Sequence, residues 1–500
     1  MNRASLRLAA IAGALVASPS QAETVPLRVP FVARPATIDV EGKLEFLAVG
    51  RTQSSSPSQD PQGKLRLRVS TDLFSPRLRF VTDLTGTAGG TPRNPSGAGV
   101  YDFGHVRQDL SPSLEIGEAY LDFYSSLLDL RLGLQKFAWG RLDRFQPNDL
   151  LNPQKYYDPL LEEENDRKIG VPAIAPTLNV PSGRSGGLLT ELRLAFVWAP
   201  IYVPYYFPDE DERWYPPIWR VPAESTVQGL TVQNQSQFVN APLPSRNLEH
   251  STYAARFSGL LAGADFAAYY FEGFDPAPAL DVAAVGFARL DPLSPQGLDV
   301  RSQVDVFPEF DRIRAVGGDV AYRMFDATLR LEGAYVFDRL YPRNPSDVVA
   351  SEQIGAIDPT ELLSGSEQEV PVTLEPVNVR RDGVDWGVGG DTFVGDTFVL
   401  LQMNQTAVFH NDVDLLISNL ETRFSITLRR DFLDERLKAE LVGLYAMQGV
   451  AGIAHPRLTY SVNDHLDVRV GYLAIEGHAS SLVGEYKHND EGYVRARFLF

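Results

Sequence analysis

The sequence predicts an all-β fold, a transmembrane antiparallel β-barrel of about 18 strands, with 16 and 20 strands both compatible with the pattern. Two observations lead to this fold class. Segments of about ten residues alternate between apolar and polar side chains along the whole chain, and this is the length that a tilted membrane strand needs. After the N-terminal segment, no apolar run reaches the roughly 20 residues of a transmembrane helix, so any membrane crossing must use strands.

The N-terminal segment has the features of a secretory signal peptide. Arg3 and Arg7 precede a short apolar run from Leu8 to Ala17, about half the length of a spanning helix. We therefore predict a signal peptide, a short periplasmic segment and a single outer-membrane barrel, at residues 1–22, 23–36 and 37–500.

Composition excludes several classes of function. The chain has no cysteine, which removes thiolate metal sites and thiol nucleophiles. Its formal net charge is -18, whereas nucleic-acid binding depends on neutralising phosphates with basic residues. We expect no nucleic-acid partner and no cofactor.

The strand pattern separates an apolar face from a charged one. In the segment from Asp326 to Phe337, Leu329 and Leu331 alternate with Arg330 and Glu332. Strands of a soluble sandwich also alternate, but they average about five or six residues. Aromatic residues near the strand ends, such as Tyr445 and Tyr472, suit the interfaces of a membrane. The charged faces would line the lumen and include Arg66, Arg68, Arg131, Arg330, Arg423, Arg469, Arg495, Arg497, Asp129, Glu332, Glu440 and Asp467.

Short and long connections alternate, as an up-and-down barrel requires. We place the short ones at the periplasmic rim, at Phe74-Ser75, Ser125-Ser126, Met324-Phe325 and Asn463-Asp464. The long ones would be outer loops that fold partly over or into the lumen, at 49–63, 86–112, 139–168, 199–250 and 338–383. The alternation holds only if an extra strand lies at about 168–178 with a turn from Pro181 to Gly187, although its two prolines make it irregular.

The rest of the chain is organised around residues 133–153, where an alternating strand runs into a polar, aromatic and proline-marked loop. Asn152-Pro153 and Asp158-Pro159 favour a short helix in that loop, with Glu162, Glu163 and Glu164 in or near its first turn. A loop of this length can constrict the lumen and select solutes by size and charge. The candidate residues for the constriction, on the loop and the wall, are Arg131, Gln135, Trp139, Arg141, Asp143, Arg144, Asp149, Asn152, Arg330 and Arg469. In the alternative interpretation, Trp139, Asp143 and Asn152 only fix the fold of the loop and touch no solute.

Three stretches of the chain resemble a poorly characterised family of proteobacterial-type outer-membrane barrels. The first is Gly133-x-Gln135-x3-Trp139-Gly140-x2-Asp143 with Asn148-Asp149-x2-Asn152-Pro153, which is similar to the family motif GxQxxxWGxxDxFxxxDxxNP. The second runs from Asp166 to Ala173 and continues in the strand from Leu189. The third is the terminal strand, whose Phe500 resembles the signal that the outer-membrane assembly machinery reads. The resemblance implies a porin-like barrel of the cell outer membrane, in contact with its lipid and lipopolysaccharide, and links some relatives to export or uptake of hydrophobic compounds.

Other charged and polar groups leave alternatives open. The acids Asp209, Glu210, Asp211 and Glu212 lie in an aromatic, proline-rich stretch at 199–222, which suits a loop plug, a binding surface or a weak divalent-cation site. The mixed charges of the inner face fit paired charges in a water-filled lumen or, alternatively, an anion-preferring pore. The seven histidines form no HExxH motif, and the chain has no GxSxG motif.

These observations together predict a channel for passive or facilitated diffusion of small solutes, without enzymatic activity. The first alternative is a barrel that binds hydrophobic compounds and passes them on, as a carrier or export partner. The second alternative is an outer-membrane lipid hydrolase with a Ser-His arrangement assembled in space. Substrate, direction of transport and oligomeric state are left open by the sequence.

Overall fold

The fold is that of a computed structural model, which describes most of the chain. The described residues are 25–27, 36–51, 61–89, 113–155, 160–180, 188–205, 213–215, 221, 223–227, 229–239, 243–277, 279–294, 296–344, 353–354, 363, 367–478, 481 and 483–500. The predicted signal peptide, the predicted turn at 181–187 and the acids at 209–212 lie outside these residues.

A closed antiparallel barrel of 18 strands forms the body of the molecule, which confirms the predicted fold class and strand number. Each strand pairs with its neighbours around the ring, and β25 closes the ring on β2, with Phe46 opposite Ala496. The barrel strands are, in ring order, β2 (Ala36–Arg51), β3 (Gln62–Asp72), β4 (Leu78–Ala88), β5 (Ser113–Phe123), β6 (Leu128–Gln135), β7 (Val171–Asn179), β8 (Leu189–Ala199), β11 (Thr252–Leu261), β12 (Ala264–Phe274), β15 (Arg312–Met324), β16 (Ala327–Pro342), β19 (Asn378–Val394), β20 (Thr397–Val408), β21 (Leu420–Phe432), β22 (Leu437–Ala446), β23 (Ala451–Ser461), β24 (Leu466–Glu476) and β25 (Glu491–Leu499).

A second sheet of six strands is built from three of the long connections. Its strands are β9 (Glu224–Val227), β10 (Leu230–Phe238), β13 (Ala279–Leu290), β14 (Leu298–Glu309), β17 (Gln353–Ile354) and β18 (Gln368–Thr373). They lie in the order β17-β18-β13-β14-β10-β9, and β10 pairs with β14 in parallel. A short strand, β1 (Val25–Leu27), pairs with the start of β2. The sequence predicted only long loops at 199–250 and 338–383, so this sheet is a finding of the structure.

The outer face of the barrel is apolar and the inner face is charged. On β16, Leu329 and Leu331 are 45% and 52% exposed, whereas the next residue, Glu332, is 1% exposed inside the barrel. Exposed aromatic side chains form one belt near each end of the barrel, as expected where strands cross the two membrane interfaces. They include Tyr253, Tyr270, Tyr445 and Tyr472 at one end, and Tyr322, Phe325, Phe432 and Tyr460 at the other.

The two ends of the barrel differ in their connections. All four short links predicted from sequence lie at one end, here called the turn end, and the long connections lie at the opposite loop end. The extra strand needed for this alternation is present as β7, although Pro172 and Pro176 lie within it. A short helix, α1 (Glu164–Arg167), forms in the connection between β6 and β7, with Glu163 at its N-cap and Glu164 in its first turn, as predicted. No helix begins at Asn152-Pro153, and Asp158-Pro159 lies outside the described residues. In the described part of the chain, no helix is both long and apolar enough to span a bilayer.

Candidate functional site

The connection between β6 and β7, residues 136–170, folds into the barrel and is here called the lumen loop. It consists of two lobes that begin and end at one hub, which is formed by residues 135–137, 152–155 and 167–169. Lobe A, residues 138–151, starts and ends where the Phe137 N–H donates to Asn152 Oδ1 over 2.6 Å. Lobe B, residues 156–166, is described from residue 160 onwards, and its ends meet where the Lys155 N–H donates to the Arg167 carbonyl over 2.9 Å.

The hub is held by buried polar side chains of the sequence motif. Asn152 Nδ2 donates to the Ile169 carbonyl over 2.8 Å, and Gln135 Nε2 donates to the Ala173 carbonyl over 2.9 Å. Both amide side chains are 1% exposed. A side-chain amide both donates and accepts, so it can join two backbone segments that have no sheet partner of their own. Lys168 Nζ adds an ion pair to Asp149 Oδ2 at 2.5 Å.

Trp139 packs lobe A against the inner wall near the hub. The indole is 8% exposed and its ring centre lies 5.5 Å from that of Tyr269. It belongs to a core cluster whose wall positions are mostly small, with alanines on five neighbouring strands at 173, 199, 254, 267 and 315. These small side chains leave the space that the indole fills, so Trp139 is a packing residue in the lumen.

Glu332, on β16, holds the middle of lobe A, on both sides of its tip at residues 143–145. Its carboxylate accepts hydrogen bonds from the backbone N–H groups of Arg141, Leu142 and Asn148 at 2.7, 3.0 and 2.9 Å. Three N–H donors can stabilise a buried carboxylate charge without a cation beside it. Gly140 makes this approach possible, because its φ is +107° and a Cβ there would lie 2.6 Å from Glu332 Oε1.

Lobe A then crosses to β20, eight strands from β6 in a ring of 18 and therefore almost opposite its origin. Gln402 Oε1 accepts from the Asp143 and Arg144 N–H groups at 3.1 and 3.3 Å, and Gln402 Nε2 donates to the Arg144 carbonyl. Asn404 Nδ2 donates to the Phe145 carbonyl over 2.9 Å. Lobe A is thus fixed to this wall mainly through its own backbone.

Charged side chains surround the backbone contacts of lobe A. Arg141 pairs with Asp319 on β15 at 2.8 Å. Asp143 lies 3.6 Å from Arg330, which also pairs with Asp391 on β19. Burial raises the pKa of Asp143 above its ordinary value, although Arg330 opposes the shift. Each of these arginines therefore already has a carboxylate beside it.

Lobe B is fixed to the opposite wall, formed by β25, β2 and β3, mainly through ion pairs. Asp166 binds Arg66 at 2.6 Å and Lys43 at 3.2 Å. Burial raises the pKa of Asp166, but these cations outweigh it and leave the pKa below its ordinary value. The other two pairs are Glu162 with Lys64 and Glu163 with Arg497. Arg495 also donates to the Leu161 carbonyl over 2.8 Å.

A cavity of about 1000 Å³ lies on the loop-end side of the lumen loop. We call it the vestibule. Phe145 and α1 of the lumen loop line it on one side, and the β13–β14 hairpin of the second sheet lines it on another. The remaining wall comes from the loop-end part of β16 and from the inner faces of β19 to β24, with Asp385 and His455 among the lining residues. The lumen loop thus forms one wall of this cavity.

The structure gathers most of the residues that the sequence singled out. Six of the ten lie on the lumen loop between Trp139 and Asn152, Gln135 lies at its base, and Arg330 lies on the wall beside Asp143. Arg469 lies on β24 and lines the vestibule. Arg131 lies apart from the others, near the turn end, where it pairs with Asp122 at 2.7 Å.

Sequence reasoning missed several residues that position the lumen loop. Gln402 and Asn404 were not singled out, although their alternation with Leu401 and Met403 in β20 places them on the inner face. Lys43 and Lys64 were missed in the same way. Their inward direction could have been found from the period of two, but their partners on the loop could not.

Neither a metal site nor a hydrolase site stands out among the described residues. In this part of the chain no group of three His, Asp or Glu side chains is arranged to hold a metal ion, and the acids at 209–212 lie outside it. Ser245 Oγ lies 2.7 Å from His250 Nδ1, but both are exposed on a local turn in which Asn247 Oδ1 accepts the His250 N–H.

Comparison with known proteins gives likenesses in structure alone. No family profile matches the chain, and no curated protein matches it by sequence. OmpF of Salmonella typhi, solved with daunomycin, is similar at 10% identity and a TM-score of 0.38 over 93% of this chain and 98% of that one. OpdK of Pseudomonas aeruginosa, solved with vanillate, is similar at 8% identity and a TM-score of 0.46 over 93% and 98%. OmpT of Vibrio cholerae, in a trimer form, is similar at 8% identity and a TM-score of 0.36 over 93% and 99%. At such values the function has to be argued from the residues of this chain.

Proposed function

We propose that this protein is an outer-membrane channel through which small solutes diffuse passively, with the lumen loop as its constriction. The observation that carries the proposal is the loop itself, which is fixed to opposite inner walls of a wide barrel and lines a cavity of about 1000 Å³ inside it. An 18-stranded barrel is too wide for side chains alone to close, so passage depends on what the loop leaves open. Selection would follow from the size of that opening and the charges around it.

The membrane location is supported by the surface of the barrel. Its exterior is apolar between two aromatic belts, and its short turns lie at one end as in barrels assembled from the periplasm. The terminal residue takes part in closing the ring, because the Phe500 N–H and carbonyl both bond to Gly42. This supports Phe500 as the contact for the assembly machinery. We place the turn end in the periplasm and the loop end, with the second sheet, outside the cell.

A single-channel recording on the refolded protein in a planar bilayer tests the proposal. The matched variant lacks residues 138–151, so that Phe137 joins Asn152 directly. These two residues already touch through a 2.6 Å hydrogen bond. The deletion therefore removes lobe A, including Asp149, and leaves the hub contacts of Asn152 and Gln135 in place. We expect stepwise currents from the wild type and steps several-fold larger from the variant.

The recordings also decide between the channel and its alternatives. If wild type and variant both remain closed in folded form, the channel is refuted and a barrel that binds and passes on hydrophobic compounds becomes the leading account. If the steps are present but equal in size, the barrel conducts and the lumen loop is not the constriction.

A further inference from the structure

Some arginines of the lumen have an acidic partner and others, including several that line the vestibule, do not. Arg66, Arg141 and Arg330 each lie within 4 Å of an acidic side chain. Arg144, Arg423 and Arg469 line the vestibule, and we call them the vestibule arginines. Within the described part of the chain, no carboxylate lies within 4 Å of their side chains.

The polar contacts of the vestibule arginines are to neutral groups. Arg423 Nη2 donates to Thr406 Oγ1 over 3.5 Å, and Arg469 Nε donates to Thr459 Oγ1 over 3.0 Å. Arg144 is held through its backbone by Gln402, which leaves its guanidinium directed by no side-chain partner among the described residues. Most of their hydrogen-bonding capacity thus remains available in the cavity.

The positive charge of this group is only partly balanced. Arg457 lies in the same part of the cavity and pairs with Glu440 at 2.5 Å, while its buried Nε has no partner. Burial, together with the charges of Arg457 and Arg167, lowers the pKa of Arg144, while Glu164 and Glu440 act in the opposite direction. Acids such as Asp275 and Asp385 line other parts of the vestibule, so the excess of guanidinium over carboxylate groups is local to this cluster. Such an excess is unfavourable where water is partly excluded unless an anion joins it.

Toward the loop end, beyond these charges and beyond His455, whose Nε2 lies 2.9 Å from Tyr493 Oη, the inner wall becomes apolar. On β22, Glu440 is followed by Val442 and Leu444 on the same inner face, and on β23 Ile453 lies two inward positions from Arg457. We call Val442, Leu444 and Ile453 the apolar wall. Across the cavity, the β13–β14 hairpin contributes further apolar side chains, including Val282 and Val304. One cavity therefore offers guanidinium groups at its inner end and apolar surface toward its mouth.

We propose that the vestibule binds amphipathic organic carboxylates. The carboxylate would lie among the vestibule arginines, because a guanidinium matches it with two parallel N–H donors. The apolar body would lie between the apolar wall and the β13–β14 hairpin. The cavity, at about 1000 Å³, is large enough for a molecule of this kind, since small-molecule pockets run up to about this volume. The proposal deepens the channel function, since such a site would lie on the route of the solute.

Calorimetric titration of the protein in lipid nanodiscs tests the proposal. The probes are 4-phenylbutyrate and its neutral amide, 4-phenylbutyramide, and empty nanodiscs correct for partition into lipid. We expect the acid to bind at least about tenfold more tightly than the amide, since hydrogen bonds between charged groups are worth about that much or more. Equal binding of the two probes, or binding of neither, would overturn the proposal.

Variants locate the binding to the vestibule arginines. The double variant Arg423→Gln with Arg469→Gln should lose the preference for the acid. The matched control is Arg429→Gln, an inward arginine on the same strand as Arg423 that does not line the vestibule, and it should bind as wild type. Arg144→Gln provides a second test. Arg144 lies on the lumen loop, so its substitution leaves the barrel strands unchanged. Unchanged binding in the folded double variant, or in Arg144→Gln if the double variant does not fold, refutes the site.

Bilayer recordings on the same preparations separate this site from the channel function. Conductance steps without binding of the acid would support the channel function and refute the binding site. Binding of the acid without conductance would support the binding site and refute the channel function.

Discussion

The two lobes of the lumen loop are held by different chemistry. Lobe A offers its backbone N–H groups to one buried carboxylate, Glu332, and to the side-chain amide of Gln402. Lobe B offers side-chain carboxylates, such as Asp166 and Glu163, to cations on the wall. Backbone donors have fixed positions, whereas ion pairs join long side chains that can rearrange.

Because of this difference, we expect lobe A to respond to loss of its buried carboxylate partner and lobe B to respond to ionic strength. A buried carboxylate with three N–H donors is shielded from salt, and its removal leaves those donors without partners. The ion pairs of lobe B retain some solvent exposure, 14% to 22% on the cation side chains, so they respond to ionic strength. We expect lobe A to set the constriction and lobe B to be the more readily released.

The largest effect is expected from Glu332→Ala. The change leaves three backbone N–H groups of lobe A unpaired, at a cost of about 1–3 kcal/mol each where they remain buried. Lobe A should leave the wall, and single-channel conductance should rise several-fold with added noise. Asp122→Ala removes an equally buried inward acid that touches Arg131 and Tyr124 instead of the lumen loop, and it should conduct as wild type. Wild-type conductance in folded Glu332→Ala would show that Glu332 is not the anchor.

A smaller effect on the same lobe is expected from Gly140→Ala. The new Cβ would meet the Glu332 carboxylate, and the positive φ adds strain of about 1–2 kcal/mol. Hydrogen exchange of residues 138–151 should accelerate while lobe B keeps its protection. Gly229→Ala has a similar φ of +84° but no atom within 4 Å of the added Cβ, so it carries the strain alone. Equal hydrogen exchange of lobe A in the two variants would show that the contact between residue 140 and Glu332 does not affect the lobe.

Lobe B should respond to the double change Arg66→Gln with Arg497→Gln. Each lost ion pair is worth roughly 1 kcal/mol in a partly exposed setting. Exchange of residues 160–167 should accelerate, and raising the salt concentration to 1 M should produce a similar acceleration in the wild type, because the screening length falls to about 3 Å. Lobe A should change in neither case. Arg430→Gln breaks an exposed pair with Asp396 at the turn end and serves as the control. Equal salt sensitivity of both lobes would contradict the comparison.

The period of two carried most of the fold prediction because one face of each strand meets an apolar surface and the other meets the lumen. It placed Glu332 and Arg330 on the inner face, and the alternation of connections required β7 despite Pro172 and Pro176. It could not reveal that Glu332 receives the backbone of lobe A, since that contact joins residues 191 positions apart. The second sheet was missed for a related reason. Its strand Leu230–Phe238 has a weak alternation, because Asn234 and Ser236 interrupt the face that carries Leu230, Val232 and Phe238. Its parallel pairing with β14 depends on how the barrel brings two distant connections together.

The smallest effect concerns the hub, which serves both lobes, and its response to pH. Burial raises the pKa of Asp149 to about 6, although its partner Lys168 opposes the shift. Because this pKa is higher in the folded loop than in the unfolded chain, the folded loop takes up a proton between about pH 6 and 4 that the unfolded chain does not. Acidification from pH 7 to 5 should therefore stabilise the folded hub, by about 1 kcal/mol for this group.

Hydrogen exchange of residues 149–155 at pH 7 and pH 5, corrected for the intrinsic exchange rates, measures that change. The opening free energy should be larger at pH 5 in the wild type and independent of pH in Asp149→Asn. Lobe B should show the opposite trend at still lower pH, because its cations keep the pKa of Asp166 low and protonation there would break the pairs with Lys43 and Arg66. A hub that loosens on acidification in the wild type would mean that the ion pair between Asp149 and Lys168, and not burial, dominates its stability. The hub, like lobe B, would then be held mainly by an ion pair.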